Sequence, residues 1–186
     1  MALTPSKMNR LGTEAPDFRL WDVVSGQEVS RDDLMGGKGL LLMFLCCHCP
    51  YVVHVREEVA RLGNEYGRKG IGIAAISSND AESYPEDAPE KLKEMAESLS
   101  FRFPYCYDAT QDVARAYHAA CTPDFFLYNA RNKLVYRGQL DDSRPGNNIP
   151  VDGADLRAAL DALIEGQEIM QNQKPSLGCN IKWKTK

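Results

Sequence analysis

The sequence predicts an α/β domain built on a parallel strand–helix–strand crossover, and three stretches carry that prediction. Residues 40–45, Leu-Leu-Leu-Met-Phe-Leu, are an unbroken apolar run with the length and composition of a strand buried on both faces. After Pro50 the apolar spacing becomes helical, with Val52, Val55, Val59, Leu62 and Tyr66 separated by three and four residues. Residues 71–76 read as a second buried strand. A strand, a helix and a strand in this order close a right-handed parallel crossover.

The other elements follow from local chemistry. Residues 1–16 read as an irregular lead-in, and 17–30 as a hairpin in which Phe18, Leu20, Val23 and Val29 flank the Ser25-Gly26 turn. Gly36 and Gly37 break the chain before the central strand. The long helix spans 49–66 and ends at Gly67, with Arg68 and Lys69 carrying the charge sign that suits a helix C-terminus. After the polar loop 77–85, Pro89 opens a helix whose inner face is Leu92, Met95 and Leu99. Residues 101–107 form a short strand. Its Pro104 has no N–H for a ladder, which places the strand at an edge or a bulge. Residues 110–117 form a short helix capped by Asp108 or Thr110. Thr122-Pro123 precedes a strand over 125–128, and the turn 129–132 leads to an antiparallel neighbour over 134–137. The polar loop 139–150 follows. A last helix over 154–164 buries Leu156, Leu160 and Leu163 and stops at Gly166. The expectation is one domain over residues 1–186, with its core in 15–166 and a polar tail in 167–186.

Composition narrows the function. The chain is 44% hydrophobic and 26% charged, ordinary for a soluble globular protein. The net charge is -4 and the 22 Lys and Arg are dispersed, so no basic footprint for nucleic acid is present. The N-terminus lacks the apolar core of a signal peptide. The longest apolar run, 40–47, falls far short of the ~20 residues a membrane helix needs. A cytoplasmic protein with no nucleic-acid or membrane partner is expected. Six cysteines in such a chain argue for redox or metal chemistry over structural disulfides.

Cysteine chemistry centres on Cys46-Cys47-His48-Cys49-Pro50, a C-x-x-C pair placed where the buried strand gives way to the helix. Unpaired backbone N–H groups and the helix dipole favour negative charge at a helix N-terminus. The thiolate is the reactive form, so Cys46 is expected to be the exposed nucleophile and Cys49 the resolving thiol. A cationic His48 would stabilise the thiolate and make the disulfide more oxidising; the plainer alternative is a solvated loop histidine. Cys47 reads either as inert or as an auxiliary thiol, His54 as a solvated residue, and Cys106 as part of the core.

The order βαβαβαββα, with C-x-x-C after the first core strand and Thr122-Pro123 before the final strand pair, resembles the thioredoxin fold across residues 15–166. The extra helix and strand between 77 and 107, with the lead-in Ala15-Pro16-Asp17-Phe18-Arg19-Leu20, are similar to the peroxiredoxin-like redoxin branch. Four stretches resemble a group of bacterial thioredoxin-family proteins: 46–50, Cys-Thr-Pro-Asp-Phe-Phe at 121–126, Arg-Gly-Gln-Leu-Asp-Asp-Ser-Arg-Pro at 137–145, and Gly-Cys-Asn-Ile-Lys-Trp at 178–183. The resemblance implies a three-layer α-β-α fold, its mixed central sheet flanked by helices, with an N-terminal β-hairpin and an inserted helix-strand. It also implies thiol–disulfide chemistry on Cys46 and Cys49, a cis peptide before Pro123, and a Thr122 backbone presented to substrate. Two departures stand out. Leu45 replaces the tryptophan usual before the first cysteine, and residues 40–45 lack the buried acid of thioredoxins, leaving the proton acceptor for Cys49 unassigned. The same fold puts Cys121 on the rim with the C-x-x-C pair, as a participant or as a core residue. It also borders the site with Gln139, Asp141, Asp142 and Arg144, as substrate contacts or as an Asp–Arg network ordering the loop.

The expected activity is thiol–disulfide exchange with a disulfide-bearing protein or a small thiol or disulfide, fed by a thioredoxin- or glutathione-type donor and needing no cofactor. One alternative is a thiol peroxidase. The peroxiredoxin pattern Pro-x-x-x-Thr/Ser-x-x-Cys fails from both cysteines: Leu42 and Cys46 precede Cys49, and Gly39 and Met43 precede Cys46. Another is a copper or zinc module formed by Cys46, Cys47, His48 and Cys49, with Cys179 as a further ligand. Cys179 itself lies 13 residues beyond Gly166, a reach of at most ~45 Å against ~20 Å for a core strand. It is expected back at the rim as an auxiliary thiol, Ile181 and Trp183 anchoring the tail; the alternative is a small buried residue that caps the core.

Overall fold

The computed structural model describes residues 3–185. The apolar run forms β4 (Gly39–Phe44), buried at every position, and the helical spacing forms α2 (Pro50–Arg68). The chain then enters β5 (Ile71–Ser77), parallel to β4. The hairpin is β2 (Arg19–Asp22) and β3 (Gln27–Ser30). A one-turn helix, α1 (Arg31–Leu34), follows; Ser30 and Asp33 close a capping box around it, a signal the sequence reading passed over. Beyond β5 come α3 (Pro89–Ser98), β6 (Tyr105–Tyr107), α4 (Asp112–Ala116), β8 (Asp124–Asn129), β9 (Leu134–Gly138) and α5 (Ala154–Glu165). A seven-stranded mixed sheet runs β3-β2-β6-β5-β4-β8-β9.

Because side chains alternate across a strand, β4 feeds two cores. Leu41 and Met43 face α2, α3 and α5, packing with Val52, Val59, Leu92 and Leu160. Leu40, Leu42 and Phe44 face the other layer, with Tyr117, Phe126 and the lead-in residues Ala15 and Phe18. This is the expected three-layer arrangement. Helix α5 ends where Gly166 adopts a φ of 70, a left-handed cap that a side chain would strain.

Three elements differ from expectation. β6 is interior, paired with both β2 and β5, and not an edge strand. Pro104 lies just before it, so no ladder N–H is lost, and the Pro104 carbonyl accepts from Ala75 N–H at 2.9 Å. The lead-in contains a strand, β1 (Leu3–Pro5), and the tail contains another, β10 (Leu177–Asn180). Together with the two-residue β7 (Cys121–Thr122) they form a second sheet of order β1-β10-β7. The tail is therefore a structural strand laid against the segment ahead of Pro123. Among the described residues no helix is long and apolar enough to cross a membrane.

Candidate redox site

The cysteine segment is placed by the end of β4. Leu45 N–H still donates to Ile76 O at 2.9 Å, so the strand line extends to Cys46 before the chain turns. Helix α2 starts at Pro50, and Cys49, not Cys46, is its N-cap. Proline suits the first helical position because its missing N–H would have been unpaired there. The helix-terminal charge preference thus acts on Cys49. Both cysteines have 0% exposure, which corrects the expectation of an exposed Cys46.

Thr122 joins the two sulfurs. Cys46 Sγ lies 3.2 Å from Thr122 Oγ1, and Cys49 Sγ lies 3.2 Å from Thr122 O. The Thr122–Pro123 peptide is cis. On the far side of Cys49 stands Cys179, at 2.7 Å between sulfurs. Cys179 is directly opposite Thr122 in the antiparallel β10–β7 pairing. This close seating depends on Gly178, where a Cβ would sit 2.1 Å from Thr122 O. The Thr122 backbone expected to receive substrate is therefore occupied by the protein's own tail.

The electrostatics distinguish the three sulfurs of this cluster. The Cys49 thiol is pulled down to about 5, first because Cys46 donates to its sulfur and then because Cys179 does. Cys46 is pushed well up, by that same hydrogen bond, by burial and by the nearby Asp87. Cys179 rises to about 12 through burial and its contact with Cys49. The start of α2 and the Cys46 and Cys179 S–H groups thus favour ionisation of Cys49 over that of either neighbour.

The neighbouring acid is Asp87, wholly buried at the end of the 3-10 turn Pro85–Asp87. Its Oδ1 accepts Cys47 N–H at 2.7 Å and His48 N–H at 3.3 Å. Its Oδ2 accepts Asn79 Nδ2 at 2.7 Å and pairs with His48 Nδ1 at 2.6 Å. The His48 ring stacks on Tyr84 at 5.5 Å and 8°. His48 is thus fixed by Asp87 and Tyr84, where a solvated loop residue would be free. Asn79 Oδ1 accepts Lys182 N–H at 2.8 Å, tying the tail into the same network. Sequence reasoning missed Asp87, Asn79 and Tyr84. The available signal was Pro85 and Pro89 framing a short turn at the C-terminal end of β5, where the site lies.

As to metal, one sulfur, nitrogen and oxygen from Cys46, His48 and Asp87 lie within 4.8 Å of one another. This differs from the Cys46, Cys47, His48, Cys49 and Cys179 set read from the sequence. Both Asp87 oxygens are also engaged, Oδ1 by the Cys47 and His48 N–H groups and Oδ2 by Asn79 and the His48 ring.

The other candidates divide. Cys47 is half-buried and its thiol rises to about 12 through burial and Asp87, which suits an inert residue. Cys121 is buried on β7, its thiol 3.6 Å from Pro123 O and pushed up by burial and Asp124. Cys106 packs in the core on the opposite face of the sheet. Asp124, beside Pro123, is wholly buried; Oδ2 accepts Ala120 N–H at 3.3 Å, Oδ1 has no partner, and burial holds the acid well above its ordinary range. The loop after β9 borders the site as expected: Asp141, Arg144 and Gln139 line a cavity of about 20 Å³ against Pro123, His54 and Leu177. His54 Nε2 is buried there without a partner, where a solvated residue was expected. Asp141 is absorbed in ordering the loop, accepting from Ser143, Asp152 and Gly153. Arg144 donates to the Asp141 and Ser143 carbonyls and to Gln139 Oε1. Asp142 pairs outward with Lys174 at 2.7 Å.

Comparison with known proteins places the chain in a family. Thiol-disulfide oxidoreductase ResA of Halalkalibacterium halodurans is 26% identical over 126 residues, which cover 68% of this chain and 66% of that protein, just under two thirds of its length. The crystal structure of an uncharacterized conserved protein from Geobacillus kaustophilus superposes with a TM-score of 0.98 at 54% identity, covering 100% of this chain and 98% of that one. The thioredoxin domain of a thiol-disulfide oxidoreductase from Bacteroides vulgatus superposes with a TM-score of 0.57 at 23% identity, over 69% of this chain and 88% of that one, which shows the fold to be that of thioredoxin. The AhpC/TSA family model matches residues 11–137, well over half of the chain, and the protein belongs to the AhpC/TSA family, the redoxin branch of the thioredoxin superfamily.

Proposed function

We propose that this protein is a thiol–disulfide oxidoreductase whose redox pair is Cys46 and Cys49. The observation that carries the reading is the seating of both sulfurs, each 3.2 Å from an oxygen of Thr122 ahead of cis Pro123, with Cys49 capping α2. In the reaction Cys46 passes its proton to the Cys49 thiolate along the hydrogen bond between them and attacks a substrate sulfur. The substrate S–S bond breaks and a mixed disulfide forms. Cys49 then gives its proton to the departing thiolate and attacks Cys46, leaving a Cys46–Cys49 disulfide and a fully reduced substrate. His48, held by Asp87, biases the pair toward its reduced form. Because both sulfurs are buried, chain around Thr122 has to yield before a protein substrate reaches them. The substrate class is a protein or small-molecule disulfide, with a thioredoxin- or glutathione-type donor, in the cytoplasm. A redox titration with alkylation mapped by mass spectrometry tests the proposal. The expected result is one reversible Cys46–Cys49 disulfide, and loss of disulfide-reducing activity in Cys46→Ser and Cys49→Ser. No reversible disulfide across that pair would overturn it.

A further inference from the structure

We infer that Cys179 is a third redox-active thiol of this site, which takes over the disulfide by bonding to Cys49. Three features place it there. Its sulfur is 2.7 Å from Cys49 Sγ, already inside an ordinary non-bonded contact, with both residues buried. Its register is fixed opposite Thr122, and a one-residue slip of β10 would turn the sulfur to the opposite face of the strand. The strand is also built for close approach: Gly178 leaves room for the Thr122 carbonyl, Ser176 Oγ donates to Pro123 O at 2.7 Å, and Ile181 N–H donates to Ala120 O at 3.2 Å. β1 covers the other edge of β10. A tail that only capped the core would need neither a glycine at 178 nor a cysteine aimed at Cys49.

The step is a disulfide isomerisation and consumes no oxidant. Starting from the Cys46–Cys49 disulfide, Cys179 attacks the Cys49 sulfur. The Cys46–Cys49 bond breaks, a Cys49–Cys179 bond forms, and the proton lost by Cys179 is taken up by the departing Cys46 sulfur. Cys46 returns to the thiol state while the oxidised bond lies under the tail and staples β10 beside Pro123. This transfer rests on the Cys46–Cys49 pair proposed above; the Cys49–Cys179 bond itself does not.

The test is oxidation of the full-length reduced protein with stoichiometric diamide, which removes two thiol hydrogens per disulfide formed. Acid quenching, alkylation and non-reducing peptide mapping follow. Cys46→Ser is expected to yield a Cys49–Cys179 linkage, wild type a mixture of Cys46–Cys49 and Cys49–Cys179, and Cys179→Ser the Cys46–Cys49 linkage alone. Gly178→Ala, which drives β10 off Thr122, is expected to lose most of the Cys49–Cys179 linkage while Cys46–Cys49 still forms. If Cys46→Ser leaves Cys49 and Cys179 both fully alkylated while wild type forms Cys46–Cys49, the third-thiol role is overturned. If Cys49–Cys179 forms but Cys46–Cys49 appears in no variant, Cys179 stands and the proposed function falls instead.

Discussion

Replacing Asp87 by alanine is expected to destabilise the protein by about 3–5 kcal/mol, the range seen when one member of a buried charged network is removed. The carboxylate accepts hydrogen bonds from Cys47 N–H, His48 N–H, Asn79 Nδ2 and the His48 ring. Its removal leaves the two loop amides and the Asn79 amide without a partner, at about 1–3 kcal/mol for each buried donor left unsatisfied. Relief of the cost of burying a carboxylate offsets part of that sum. Asp87→Asn retains Oδ1 for the two loop amides but turns an NH₂ toward Asn79 and His48, and should cost about 1–2 kcal/mol on the same scale. The assay is urea unfolding of the reduced protein followed by circular dichroism. With a slope of about 2 kcal/mol per molar, Asp87→Ala should lower the midpoint by about 1.5–2.5 M. A shift below about 0.5 M, or equal shifts for the two variants, would refute Asp87 as the organising acceptor of the cysteine loop.

Other outcomes follow from the same geometry. His48→Phe keeps a ring against Tyr84 but removes the Nδ1 contact with Asp87, so under the proposed role of His48 the reduction potential should fall by tens of millivolts, at about 30 mV per ~1.4 kcal/mol; equilibration with glutathione measures it, and an unchanged or higher potential contradicts the His48 role. Cys49, held at about 5 against an ordinary 9.0, stabilises the folded reduced protein fully above the ordinary value and loses that contribution as pH falls through 5. The stability difference between reduced wild type and Cys49→Ala should therefore shrink between pH 9.0 and about 5, and a difference that grows on acidification would reverse the charge assignment. Arg157→Ala removes one of the two 2.7 Å partners of buried Glu58, leaving Arg61 on the other oxygen, and should cost about 1–3 kcal/mol in thermal or urea unfolding. Adding Glu58→Gln should restore part of that loss, and no restoration would mean that the arginine acts by packing alone.

The central crossover was legible because β4, α2 and β5 declare themselves locally: an all-apolar run, a three-and-four spacing, a second apolar run. The pairing of Thr122 with a cis proline was legible only through family resemblance, since nothing in the residues Cys121 to Phe125 fixes the peptide geometry. β1 and β10 were not legible. Leu3–Pro5 contains a proline and Leu177–Asn180 a glycine and an asparagine, so neither has strand propensity of its own; each is a strand because the other and Thr122 supply hydrogen bonds. Chain length allowed Cys179 to return, but only that pairing fixes which sulfur it meets. Asp87 was invisible for a related reason. It is 40 residues from Cys47, and its role consists of backbone N–H groups that leave no trace in residue types. The cysteine at the helix N-terminus was misplaced by three residues: the strand line continues through Leu45 and delays the helix until Pro50, so that Cys49 and not Cys46 is the N-cap.

That delay and the two acids outside β4 together decide where charge sits. Asp87 is already saturated by four donors, so it remains a fixed acceptor with none to spare for the Cys46 thiol, and its field raises the cost of ionising Cys46. Asp124, on the Pro123 side, is wholly buried with no partner on Oδ1, and burial raises its pKa well above the ordinary carboxylate range. The helix start and the two neighbouring S–H groups all act on Cys49. A carboxylate within the strand before the cysteines could serve the resolving thiol directly as a proton acceptor. Here the acid serves the loop backbone and His48, and the reaction proposed above gives the proton of Cys46 a sulfur as its acceptor. In the proposed reaction, proton movement in the first half is therefore sulfur to sulfur, and the rate of attack is expected to depend on the Cys46–Cys49 separation more than on any carboxylate.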